Sequence, residues 1–86
     1  VAVNTTLTAD HRVLLVETAS GAKTVTLPTA VGIAERWYHI KNIGTAGNTV
    51  TLDGDGTETI DHLTTQSLVD GDSIHVISDG TEWWVL

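Results

Sequence analysis

The chain has 86 residues, no cysteine, no methionine and a formal net charge of −7. That length makes one domain, and the missing cysteine excludes disulfides, thiolate zinc sites and thiol catalysis. Four Lys and Arg against eleven Asp and Glu argue against nucleic acid and anionic membrane, whose phosphates require cations.

Residues 1–43 hold Arg12, Lys23, Arg36 and Lys41 against Asp10, Glu17 and Glu35, whereas residues 44–86 hold eight acids and no Lys or Arg. No stretch approaches the ~20 apolar residues of a membrane span. No charged segment leads into an apolar one, so no signal peptide is expected. The start at Val1 without Met leads us to expect a fragment or a processed product, with residues 1–86 forming one module.

Taken in chain order, the predicted elements are all strands. Residues 5–8 come first, then 12–17, then Thr24-Val25-Thr26-Leu27, whose period of two puts Val25 and Leu27 on one face. Pro28 ends that segment, and residues 29–35 make at most one short helical turn. Residues 36–43 follow, then Thr49-Val50-Thr51-Leu52, a second copy of the TVTL pattern. Residues 58–60, 65–69, 73–78 and 82–86 complete the set. Turn chemistry separates them at Thr18-Ala19-Ser20-Gly21, Gly44-Thr45-Ala46-Gly47, Asp53-Gly54-Asp55-Gly56, Asp70-Gly71-Asp72 and Asp79-Gly80. Close, regular strand spacing predicts an all-β fold, a small antiparallel sandwich or a barrel.

Three strands break the alternation, two with apolar residues on both faces and one, at 74–77, with Ile77 interrupting an otherwise polar second face. They are Val13-Leu14-Leu15-Val16, Ile74-His75-Val76-Ile77 and Trp83-Trp84-Val85-Leu86. A sheet in a lone two-layer sandwich keeps one face in water, so such strands need cover on both sides. Another copy of the chain supplies it in one reading, with Leu14, Val16, Trp84 and Leu86 as interface candidates. Loops or a curled sheet within one chain supply it in the other.

The densest carboxylate group is Asp53, Asp55, Glu58 and Asp61. Calcium takes six to eight oxygens, and a Gly-rich acidic loop supplies several. The EF-hand pattern fails because the twelfth position from Asp53 is Thr64 and not Glu. Asp-Gly pairs are equally ordinary hairpin chemistry. His11, His39, His62 and His75 lack metal-ligand spacing within one chain, and no cofactor is expected. Neither a nucleophile elbow nor a distinctive Ser–His arrangement is present, so catalysis is not expected. Tyr38 and Ile40 alternate onto one face and Trp37, His39 and Lys41 onto the other. Trp37 and Trp84 are therefore the candidates for stacking on a sugar face, or for a subunit contact.

The run Ser73-Ile-His-Val-Ile-Ser-Asp-Gly-Thr-Glu-Trp-Trp-Val-Leu86 resembles the ending of phage tail-fibre and related virion proteins, in which an S-D-G-T-x-W hairpin closes the domain. The segments from Leu15 to Pro28, from His39 to Asn42 and from Gly56 to Asp61 fit the same pattern in order and spacing. The resemblance implies a small sandwich or jelly-roll-like knob, trimeric at a fibre tip or shaft. It also implies a larger virion protein of which this chain is a piece, often its C-terminal domain. The expected function is a tail-fibre or receptor-binding module contacting a host-surface glycan or another virion protein. A capsid decoration or head-fibre protein and a monomeric carbohydrate-binding module are the alternatives. Trp37-Tyr38-His39 departs from the family pattern, where smaller residues are usual, and the family carries no shared functional site.

Overall fold

The computed structural model describes residues 1–9 and 12–86. Its strands are β1 (Thr5–Thr6), β2 (Val13–Val16), β3 (Lys23–Thr26), β4 (Trp37–Asn42), β5 (Val50–Asp53), β6 (Thr65–Leu68), β7 (Ser73–Ser78) and β8 (Trp83–Val85). There is no helix among the described residues, and residues 29–35 contain only turns. Two four-stranded sheets result, ordered β1-β3-β5-β6 and β2-β4-β7-β8.

The chain visits the two sheets alternately from β1 to β5. Successive strands within a sheet therefore run the same way, and β1-β3, β3-β5 and β2-β4 are parallel pairs. Only the last strands return as direct antiparallel partners, in β5-β6, β4-β7 and β7-β8. This corrects the expectation of an antiparallel sandwich. The Gly-containing turns after β2 and β4 carry the chain from one sheet to the other, and parallel pairing requires that kind of crossover. The two TVTL segments lie side by side, staggered so that Val25 faces Leu52 and Lys23 faces Val50.

Alternation sets what lies between the sheets. Val25, Val50, Leu52 and Leu68 point inward from one sheet, and Leu14, Val16, Tyr38, Ile40, Ile74, Val76 and Trp83 from the other. Leu7, Leu27, Ala30 and Ile60 fill the ends from the connections. Residues 58–60 were expected as a strand but form only isolated bridges, of Ile60 with Leu63 and with Trp83. Between β5 and β6 of one sheet the segment passes beside β8 of the other, where the backbone of residues 59–61 bonds only Trp83 of that strand. Ile60 is nonetheless fully buried.

A polar network sits among these apolar side chains. Asn42, fully buried, donates from Nδ2 to the Asn48 carbonyl at 3.0 Å and the Leu68 carbonyl at 3.1 Å. Its Oδ1 accepts from Thr18 Oγ1 at 3.0 Å and from the Gly44 N–H at 2.9 Å. Asn48 Nδ2 closes the group by donating to the Thr18 carbonyl at 2.7 Å. Every polar atom of the Asn42 amide is satisfied, which burial demands. A Cβ at Gly44 would overlap Thr18 Oγ1, so only glycine lets the backbone come this close.

Candidate functional site

The outer faces of the two sheets differ in chemistry. The β1-β3-β5-β6 sheet shows water Thr24, Thr51 and Ser67 in one cross-strand row and Thr6, Thr26, Asp53 and Thr65 in the next. The β2-β4-β7-β8 sheet is its opposite. Its outward rows are Leu15-Lys41-Ser73, Val13-His39-His75 with Leu86 at the end, and Trp37-Ile77-Trp84. Six of these ten side chains are aliphatic or indole, and none is a carboxylate. Val13 is 58% exposed, Leu15 49%, Trp37 38% and Leu86 71%. The face is apolar and open in the single chain.

The three strands read as breaking the alternation all belong to this one sheet, and their second faces converge on the same surface. The choice of interface residues on β2 is corrected by the strand's phase. Leu14 and Val16 point into the core, at 6% and 0% exposure, and it is Val13 and Leu15 that face out. Trp84 and Leu86 do lie on the outer side, with Trp84 half-buried and Leu86 exposed. Tyr38 and Ile40 are inward, and Trp37, His39 and Lys41 stand on the other face.

Ring contacts tie the middle of the face together. His39 and His75 stack at 5.4 Å and 13°. Trp37 meets His75 edge-on at 5.2 Å, and His62 meets Trp84 edge-on at 5.0 Å. Nε2 of His75 is buried without a hydrogen-bond partner. Strand β8 is held in place by the turn before it. Asp79 Oδ1 accepts from the Thr81 N–H at 2.8 Å, Thr81 Oγ1 at 3.0 Å and the Glu82 N–H at 2.9 Å, and Oδ2 accepts from Trp84 Nε1 at 2.7 Å. The Glu82 N–H first, then the Trp84 indole and Thr81, hold the Asp79 carboxyl far below the usual carboxylate range. Ser78 Oγ donates to the Ala30 carbonyl at 2.8 Å and accepts from the Gly80 N–H at 3.0 Å, and Trp83 Nε1 reaches the Pro28 carbonyl at 3.2 Å. Each polar residue of the S-D-G-T-x-W run thus has a part in closing the β7-β8 hairpin or aiming Trp84.

Two of the four acidic candidates are occupied by the chain's own donors. Glu58 accepts from Thr29 Oγ1 at 2.5 Å and the Ala30 N–H at 2.7 Å, and Asp61 accepts from the Val85 N–H at 3.1 Å. Asp53 lies on the outer face of β5 and Asp55 in the exposed turn after it. Asp53, Asp55, Glu58 and Asp61 do not converge, and no group of three or more His, Cys, Asp or Glu suited to a metal exists among the described residues. His11 lies outside the described residues. The described surface has no pocket.

Sequence reasoning missed Val13, Leu15 and the His39–His75 pair. A strand apolar at every position gives no phase, and no spacing along the chain links His39 to His75. These features define an all-β domain of two mixed sheets with one open apolar face. Compared with protein-family models, curated proteins and solved structures, the chain matches none.

Proposed function

We propose that this domain is a non-enzymatic module of a phage virion, a tail-fibre or receptor-binding element that assembles as a homotrimer. In this reading the outer face of the β2-β4-β7-β8 sheet packs against copies of itself. The observation that carries it is the row-by-row run of Val13, Leu15, Trp37, Ile77, Trp84 and Leu86 without a carboxylate between them. Covering such side chains adds up to about 1.5–3 kcal/mol each, large against the margin of a domain this small. Copies of a chain of net charge −7 meet with least repulsion where no acid faces out. The resemblance of residues 73–86 to fibre endings supports the virion assignment. Function then comes from avidity, with several weak copies of one site on a rigid body.

Sedimentation velocity at micromolar concentration tests the assembly. The expected mass is three times the 9.1 kDa of one chain or a multiple of that, with the trimer lost in Leu15→Asp. A wild-type domain that sediments as one chain would remove the reading.

The second reading is a monomeric carbohydrate-binding module. Trp37 and Trp84 flank Ile77 in one row, and Asp79 fixes the Trp84 indole, which together make a platform for sugar C–H faces. Glycan binding by a monomer, lost in Trp84→Ala, would favour it.

A further inference from the structure

The two edges of the apolar-faced sheet are covered by the chain itself. The Val1 carbonyl accepts from the Glu17 N–H and the Val1 amine reaches the Leu15 carbonyl beside β2. Beside β8, residues 59–61 bond Trp83 on both its N–H and its C=O. In the other sheet β1 is an edge of two residues. Strand β6 is different, because it ends its sheet and the run Leu63-Thr64-Thr65-Gln66-Ser67-Leu68-Val69 contains no charge, proline or glycine. Those are the devices that keep edges from pairing. Leu63 and Val69, 59% and 56% exposed, mark its two ends.

The hydrogen-bond phase shows which groups are on offer. The Gly54 N–H donates to the Thr64 carbonyl, which makes Gly54/Thr64 a bonded pair and the next pair, Asp53/Thr65, a non-bonded one. By the same alternation Thr51/Ser67 is non-bonded. The backbone N–H and C=O of Thr65 and Ser67 therefore point away from β5, into the open edge.

We propose that β6 pairs with β6 of a second copy, antiparallel and centred on Gln66. In that register Thr65 of each chain faces Ser67 of the other, so the groups left open on each chain bond one another. Leu63 and Val69 stay outside the new ladder, because their backbone groups already bond Ile60 and Asp72 of their own chain. Odd-numbered residues meet odd-numbered ones, so the polar outer face continues across the dyad without a side-chain flip. Shifting the centre to Thr65 or Ser67 keeps the faces but sets Ser67 against Leu63 or Thr65 against Val69, whose backbone groups are already bonded. The contact is isologous and shares no residue with the apolar sheet face.

The test is sedimentation equilibrium across a concentration series at low salt, in a Leu15→Asp background that removes the sheet-face contact. The expected result is a monomer–dimer equilibrium reaching twice the 9.1 kDa chain mass. Thr65→Lys with Ser67→Lys sets like charges opposite each other and is expected to raise the dissociation constant about tenfold or more. Thr65→Lys with Ser67→Glu sets opposite charges there and returns it to the parent value or below. Both positions are exposed, and circular dichroism confirms that each variant is folded. A monomer at every concentration, or two double variants that dissociate alike, would overturn the proposal. If Leu15→Asp leaves the wild-type mass unchanged, the sheet-face reading fails and the edge is still tested by the pair of variants.

Discussion

His39 and His75 stand directly opposite each other on β4 and β7, their rings 5.4 Å apart and 13° from parallel. Trp37 closes over the edge of His75, and Nε2 of that imidazole is buried with no partner. The stack gains from ring contact and loses from an unsatisfied nitrogen, which costs about 1–3 kcal/mol when buried. His75→Phe keeps the ring and removes the nitrogen. Urea unfolding is expected to show stability raised by about 1 kcal/mol, read as a higher midpoint with an unchanged slope.

Trp83 and Trp37 separate stability from association. Trp83 is fully buried and donates to the Pro28 carbonyl, whereas Trp37 is 38% exposed on the outer face. Trp83→Ala is expected to cost about 3–5 kcal/mol, enough to leave a domain of this size largely unfolded by circular dichroism. Trp37→Ala is expected to leave the unfolding midpoint of the single chain nearly unchanged and to weaken assembly in sedimentation.

Gly44→Ala pushes a methyl group into Thr18 Oγ1 and so breaks the network around Asn42. The expected loss is about 2–4 kcal/mol, because the displaced Thr18 hydroxyl and an unpaired buried amide add together. Gly47→Ala is the control, since nothing lies near its added Cβ and its cost comes only from a φ of 80°. Chemical unfolding of the pair is expected to show Gly44→Ala as the more damaging by at least about 1 kcal/mol.

Asp79 predicts an acid dependence of known sign. Its carboxyl is held low by the Glu82 N–H, the Trp84 indole and Thr81. The stability it lends is therefore whole above the unfolded carboxylate value of about 3.9 and is lost as pH falls from there through the depressed folded value. Thermal melts of wild type and Asp79→Asn are expected to differ by a constant interval between about pH 5 and 7, and to converge below about pH 4.

The sequence by itself determined that the domain is all-β, because period-two alternation of Val, Leu and Ile against Thr and Ser has only one regular solution. It also put Val25 with Leu27 and Tyr38 with Ile40 on shared strand faces, and those faces are the ones the fold buries. Which way Val13-Leu14-Leu15-Val16 turns was decided only by the fold. A run apolar at every position carries no phase, and its phase comes from pairing with β4 in a register that puts Leu14 beside Ile40. Strand direction was likewise a tertiary matter. A turn rich in glycine reads the same whether it folds a hairpin or crosses between sheets, and here the early turns cross. The gathering of every two-faced strand into one sheet, and the stacking of His39 on His75, depend on contacts between residues far apart in the chain, which no local pattern encodes.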